Sequence, residues 1–584
     1  MVRGLPIGMS ALQKLAKKGV SMFTRREFMK ATIAASALVG GSGLSLAQTI
    51  AQGKLTQDKL LAFEPVGNVT LVHLTDIHGQ LMPLHFREPS VNIGVGEAKG
   101  RVPHVTGADF VKKFGLSPKS AEAYALTDQD YVELAGAYGR MGGLDRIGTI
   151  VKSIRAERGS KMLLLDGGDT WTNSWTSLQT EGQDMVDVMN VLKPDAMTGH
   201  WEFTLGEKRF KEITGTLAFP FLAQNMRDSE FEEPVYEPHK IFEQGGVKIA
   251  VIGQAFPYTP IANPRWMIPK WSFGIREDDM RKQVEAVRAK GAQLVVVLSH
   301  NGFDVDHKMA SRIEGIDVIL SGHTHDALPE VVKVGRCLIV ASGSHGKFVS
   351  RLDLDVQGKE VKSFRYRLIP VFADAIAPDA EVAAVIAKHR APFEAGLKRT
   401  LGTTNSLLYR RGNVAGTLDD MFCEAILTER DAEIALSPGI RWGATLLPGQ
   451  AITFEDVTNA CAMSYPATYR IKMTGGRLKE VLEDVADNLY NPDPYLQQGG
   501  DMVRTGGLGF SIDPSLPIGQ RISQMRMLNT GQAVDASKEY VVAGWASINE
   551  GTEGPPIWDV VSNYIGKKKT VDFKPNSSVK VVGS

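Results

Sequence analysis

Val69-Thr70-Leu71-Val72-His73-Leu74 runs directly into Thr75-Asp76-Ile77-His78-Gly79. A run of six residues, five of them apolar or β-branched, reads as a buried strand, and the Asp-x-His-Gly that follows reads as the loop beyond its carboxyl end. The pattern returns along the chain. Met162–Leu165 leads to Asp166-Gly167-Gly168-Asp169, and Leu294–Leu298 to Ser299-His300-Asn301. Val318–Leu320 leads to Ser321-Gly322-His323-Thr324-His325-Asp326, and Thr198-Gly199-His200-Trp201-Glu202 stands between these segments. With Val247–Ile252 as a further strand and helical stretches such as Met280–Lys290 in between, the order predicts α/β architecture. Ligand sites in such sheets form beyond the carboxyl ends of strands, where loops distant in sequence converge. Any one of these His or Asp residues is accounted for by hydrogen bonding at a strand end. Five such motifs in chain order point instead to a metal site. Asp76, His78, Asp169, His200, His300, His323 and His325 are its candidate ligands. Mixed Asp/His ligation suits a pair of divalent first-row ions sharing a carboxylate.

The composition sets the frame without giving the chemistry. The 584 residues contain 66 Lys+Arg and 66 Asp+Glu, 43% hydrophobic and 23% charged residues. That is ordinary for a globular protein of more than one domain and excludes a disordered or collagen-like chain. Zero net charge with no basic block argues against nucleic acid as a partner. Cys337, Cys423 and Cys461 form neither a disulfide framework nor a Cys-x-x-Cys site. The balance of charge is an average over two pieces. Residues 1–47 hold seven Lys/Arg and one Glu, so the remainder is acidic by six. In that leader, Thr24-Arg25-Arg26-Glu27-Phe28-Met29-Lys30 precedes a mildly apolar Ala/Gly/Ser run ending at Ser45-Leu46-Ala47. It reads as a cleaved export signal resembling the twin-arginine type, and it is too weakly apolar for a stable membrane anchor. The expected location is therefore the periplasm, without stable membrane insertion. Residues 85–138 interrupt the strand–helix pattern and are expected to pass over the surface. Pro378–Lys398 is helical and a plausible connector to a second α/β region.

These motifs carry a family likeness. Asp-x-His, Gly-Asp, Gly-His-x-Glu, a lone His after a strand and Gly-His-x-His, in that order, resemble the calcineurin-like metallophosphoesterases. Ser437-Pro438-Gly439-Ile440-Arg441 resembles the Gly-rich stretch ending in Ile-Arg of the 5′-nucleotidase branch. The resemblance implies an N-terminal four-layer αββα metal domain (55–375), a linker helix (376–399) and a C-terminal 5′-nucleotidase-like α/β substrate-binding domain (400–584), after a signal at 1–47. It implies one ion held by Asp76, His78, Asp169 and His325, and a second by Asp169, His200, His300 and His323, with Asp169 bridging.

One departure bears on function. The family usually reads Gly-Asn-His-Glu-Phe-Asp, whose His assists phosphate transfer. This chain has Gly199-His200-Trp201-Glu202-Phe203-Thr204, which puts an indole at that position. An indole N–H donates a hydrogen bond but cannot shuttle a proton near neutral pH. A sulfur leaving group tolerates that loss, because a thiol ionises at about 8.5. The segment, with Gly499-Gly500-Asp501-Met502-Val503-Arg504 and Gly544-Trp545-Ala546-Ser547-Ile548-Asn549, resembles the SoxB family, thiosulfohydrolases of the periplasmic sulfur-oxidising (Sox) system. The likeness implies two ions, manganese in kind, and a SoxYZ-type sulfur carrier protein as partner, its cysteine S-thiosulfonate being hydrolysed to sulfate and a persulfide. Arg441 is then the candidate to bind the sulfonate oxygens, and Trp201 the candidate wall of a narrow channel. Arg410 and Arg411 fit an entrance lining and a solvated charged face equally well. His345, in Gly343-Ser344-His345-Gly346, is the remaining histidine closest to the pattern. The chain is expected to be monomeric. A nucleotidase or sugar-nucleotide hydrolase with altered acid catalysis, and a metal-stabilised binding protein without turnover, remain the alternatives.

Overall fold

The computed structural model describes residues 55–583, so the expected export leader at 1–47 lies outside the described residues. Among the described residues no helix is long and apolar enough to cross a membrane. Two sheets face each other in the N-terminal half. The first has five strands in the order Glu360–Pro370, Phe348–Gln357, Val69–Leu74, Met162–Asp166, Ala196–Met197. The second has six, in the order Val332–Val334, Cys337–Ala341, Val318–Ser321, Leu294–Ser299, Val247–Gln254, His239–Gln244. Successive side chains alternate between faces, as the strand repeat requires. Leu71, Leu163, Val251, Val296 and Leu320 fill the space between the sheets. Their neighbours Val72, Leu164, Ile252, Val297 and Ile319 turn outward onto helices. Both faces are covered, so these strands read as continuous apolar runs rather than alternating ones. Helices Leu144–Arg158 and Gln183–Leu192 cover one outer face, and Glu277–Ala289 and Phe303–Arg312 the other. The result is the expected four-layer αββα arrangement.

Residues 85–138 differ from expectation. They contain three short helices, Gly107–Lys113, Ala121–Leu126 and Tyr131–Tyr138, and the last two sink into the main core through Tyr124, Ala125 and Leu134. Buried Lys347 ties the lobe down, donating to Glu88 Oε1 at 2.5 Å and to the Ala125 carbonyl at 3.0 Å. Short helices separated by Gly and Pro leave no long period for a sequence reading to detect.

After helix Ala380–Arg390, the C-terminal half is organised on a four-stranded sheet, Thr468–Thr474, Glu539–Trp545, Ile434–Ser437, Arg504–Gly506. Helices Thr417–Glu429 and Ile557–Lys568 pack on one face of it, and Gly475–Tyr490 on the other. The halves are clamped at the connecting helix, where Arg390 donates to both carboxylate oxygens of Glu455 at 2.5 and 3.1 Å.

Candidate metal centre

The loops beyond the strand ends meet at one point. Asp76 N–H donates to the Gly168 carbonyl at 2.8 Å and His78 N–H to the Asp169 carbonyl at 2.7 Å, which zips the loop after Leu74 to the loop after Asp166. Asp76, His78, Asp169, His323 and His325 all adopt positive φ, between 53° and 74°. Non-glycine residues rarely take this conformation, and each costs roughly 1–3 kcal/mol. Flanking glycines therefore do not absorb all the turning; the candidate ligands themselves carry it. Buried Glu202 acts as a staple, accepting from the backbone N–H groups of Thr170 at 2.6 Å and His200 at 2.8 Å. It fixes the two loops that present Asp169 and His200. The sequence motif contained this glutamate, but its role depends on a contact across the fold.

The seven side chains gather into two buried groups, Asp76/His78/Asp169/His325 and Asp169/His200/His300/His323, with Asp169 common to both. Asp169 Oδ2 lies 3.0 Å from His300 Nε2 and 3.3 Å from His200 Nδ1. Asp76 Oδ1 lies 3.3 Å from His325 Nε2, which is 2.9 Å from His78 Nε2. Four of the five outward ring nitrogens are engaged elsewhere, and His325 Nδ1 has no hydrogen-bond partner among the described residues. His78 Nδ1 faces Asn173 Oδ1 at 3.0 Å, and His300 Nδ1 faces the Gly167 carbonyl at 2.7 Å. His200 Nε2 faces Asn263 Oδ1 at 3.2 Å, and His323 Nε2 the Gln498 carbonyl at 2.8 Å. These oxygens only accept, so they place the protons outward and the lone pairs inward. His200 Nδ1 and His300 Nε2 are buried without a hydrogen-bond partner among the described residues. Inward lone pairs around two carboxylates fit divalent cations and little else.

The electrostatics agree. Burial pushes the Asp76 carboxyl up to about 7. Burial also opposes ionisation of Asp169, but the adjacent His200 and His300 outweigh it and hold that carboxyl well below its ordinary value. Burial disfavours a charged His300, yet Asp169 and Asp76 lift it to about 10. His323 and His325 are held well below the ordinary value, first by burial and then by neighbouring positive groups. The two carboxylates thus create a local demand for positive charge.

A cavity of about 140 Å³ opens onto both groups. Trp201, Phe256 and Trp442 form its aromatic wall. The Trp201 and Trp442 rings meet edge to face at 4.8 Å, and Tyr465 lies parallel to Trp201 at 6.2 Å. Trp201 N–H donates to Asp169 Oδ1 at 2.7 Å through the backbone, which leaves the indole to the wall. Trp442 and Phe256 carry no motif of their own, although Trp442 follows directly on Arg441. Arg441 also lines the cavity, with Nη1 on the Thr324 carbonyl at 3.1 Å and Nε on Asp501 Oδ1 at 3.4 Å. Arg410 and Arg411 are only 2% and 4% exposed, so neither is a solvated charge. Arg410 is spent on Asp419 and two carbonyls, whereas Arg411 touches the His325 carbonyl at 3.4 Å. His345 packs on Phe86 at 3.8 Å and accepts from Gly443 N–H at 3.3 Å, joining the two halves. A larger cavity of about 520 Å³ beside helix Ala380–Arg390 contains none of the seven side chains.

Known proteins resemble this chain to different depths. The family model for the 5′-nucleotidase C-terminal domain matches residues 399–562. The protein 5NUC of Lutzomyia longipalpis is 26% identical over 490 residues, covering 74% of this chain and 83% of its own. The rat 5′-nucleotidase is 23% identical over 514 residues, covering 76% and 86%. Among solved structures, the sulfate thiohydrolase SoxB of Thermus thermophilus superposes with a TM-score of 0.87 at 36% identity, over 90% of this chain and 98% of that one. A 5′-nucleotidase precursor from Thermus thermophilus superposes at 0.70 with 20% identity, over 88% and 100%, a likeness of fold.

Proposed function

The chain belongs to the SoxB family, within the 5′-nucleotidase superfamily of hydrolases, and we propose that it hydrolyses the S–S bond of a cysteine S-thiosulfonate borne on a carrier protein. Water adds to the terminal sulfonate sulfur, the bond to the inner sulfur breaks, and sulfate leaves while the carrier keeps a persulfide. The observation that carries this reading is the indole of Trp201 on the wall of the cavity, beside the two ligand groups.

Asp76, His78, Asp169 and His325 would hold one divalent ion, and Asp169, His200, His300 and His323 the other. Two such ions supply Lewis acidity and make water nucleophilic at neutral pH. Manganese is the metal we assign, on the family likeness. The protein's own part is to shape and polarise the cavity. Arg441 and Arg411 add positive charge on the side of the C-terminal half, where a sulfonate would approach an otherwise acidic chain. Trp201, Trp442 and Phe256 exclude water and provide an apolar path for sulfur. A persulfide departs as an anion without a proton donor at position 201, whereas an alkoxide would need one. The cavity is smaller than the roughly 300–1,000 Å³ of pockets that engulf drug-sized ligands, which favours a narrow, carrier-borne group over a nucleotide. The proposed partner is a SoxYZ-type carrier and the proposed location the periplasm, reached by the twin-arginine route.

The test pairs two products. Manganese-loaded protein is incubated with thiosulfonated carrier and, separately, with AMP and UDP-glucose, and sulfate and phosphate are measured. Sulfate release from the carrier without phosphate release is expected. Phosphate without sulfate would sink the proposal.

A further inference from the structure

The C-terminal half enters the candidate metal centre through a short strap, Gln497–Asp501. Its Gln498 carbonyl accepts from His323 Nε2 at 2.8 Å. The other outward imidazole contacts, from His78, His200 and His300, are made within the N-terminal half. Among the described residues, His323 alone of the five histidines has its outward nitrogen fixed from across the boundary. A carbonyl cannot donate, so this bond places the proton on Nε2 and leaves Nδ1 as the ligand atom.

The strap is built to approach this closely. Gly499 sits at φ +74°, and a Cβ there would lie 2.6 Å from His323 Nε2. Arg441 holds the strap in place. Its guanidinium donates to the Gly500 carbonyl and to Asp501 Oδ1, and on the other side to the carbonyl of Thr324, the residue between His323 and His325. Asp501 is braced in turn by Arg504 Nη2 at 2.9 Å and by its own N–H on the Gly439 carbonyl at 2.9 Å. Arg441 is therefore bonded to both sides of the contact it spans.

We propose that the Gln497–Asp501 strap is a working part of the metal centre, its Gln498 carbonyl setting the His323 tautomer and Arg441 acting as the positioning residue that seats it. The proposal rests on the two-ion reading of the site. It makes the affinity of one ion, the one held by Asp169, His200, His300 and His323, depend on the docking of the C-terminal half. In the other group, no imidazole nitrogen is bonded to the C-terminal half among the described residues. Partners that orient metal-binding imidazoles are typically worth about 10–100-fold in metal affinity.

The metal-free full-length chain is titrated with Mn2+ calorimetrically, with circular dichroism reporting the fold of each variant. Arg441→Gln removes the pin without backbone strain, and Gly499→Ala drives a methyl group into the contact. Gly519→Ala is the control, because Gly519 has a similar φ of +88° with open space around its Cβ direction. The expected result is two Mn2+ sites in the parent and in Gly519→Ala. In Arg441→Gln and Gly499→Ala, one site is expected to weaken by about 10–100-fold while the other is unchanged. Two sites of parental affinity in a folded Arg441→Gln variant overturn the role of the strap and leave the two-ion reading intact. Fewer than two sites in the parent overturn that reading, and the proposal with it.

Discussion

Position 201 separates two chemistries by one side chain. Its backbone N–H is bonded to Asp169 at 2.7 Å, and any residue would keep that bond. The indole above it meets Trp442 and Tyr465. Trp201→His would thus place an imidazole beside the ligand groups with little change to the backbone. If absence of an acid is what excludes phosphate esters, this variant should raise phosphate release from AMP above the parent's level, by on the order of the 10²–10⁴-fold that acid catalysis contributes. The check is phosphate release by the two manganese-loaded proteins side by side. No gain would remove the acid-loss explanation.

Helix Gln183–Leu192 carries a testable electrostatic cost. Asp184, in its first turn, is fully buried, with Oδ1 accepting from Thr180 Oγ at 2.8 Å and Oδ2 without a partner among the described residues. Burial raises its carboxyl from 3.8 to about 6. A carboxyl raised in the folded state favours folding while protonated. Stability from this group is therefore full below about 4 and declines as pH rises through about 6. Asp184→Asn should flatten the pH dependence of unfolding over that window and be more stable than the parent at pH 7, by on the order of 3 kcal/mol at most. Urea unfolding at pH 4 and pH 7 measures both. An unchanged pH slope would show that the helix ionises Asp184 without cost.

The lobe of residues 85–138 is a load on the whole molecule, since it buries a cation inside the metal-binding half. Lys347 is 1% exposed, and Glu88 is its only carboxylate partner at hydrogen-bond distance among the described residues. Glu88→Ala leaves that ammonium buried and unpaired, with an expected loss of about 3–5 kcal/mol. The double variant Glu88→Leu/Lys347→Met removes both charges and should recover most of the loss. Equilibrium unfolding of the three proteins separates a buried ion pair from a lobe that merely rests on the surface. In the latter case Glu88→Ala would cost nothing measurable.

What was legible in the sequence, and what was not, follows from where each feature resides. An apolar run ending in Asp-x-His-Gly is covalent and local. Its strand buries both faces whatever its neighbours, and its loop must emerge at the carboxyl end. The seven candidate ligands and the α/β class could therefore be read in chain order, whereas the αββα layering came through the family likeness. The burial of residues 85–138 could not, because their helices are too short to show a period. Arg410 and Arg411 are adjacent in sequence and look alike, yet one is spent on Asp419 and the other reaches the site. Only packing separates them. The aromatic wall is assembled from Trp201, Phe256 and Trp442, which share no motif. The Gln498 carbonyl is the limiting case: every residue carries such a group, so no side chain announces it, and only the docking of one half on the other brings it to 2.8 Å from His323. The sequence by itself determined which side chains could bind metal. The tertiary structure decided which way they face, because a ring's proton is placed by the partner it meets in space.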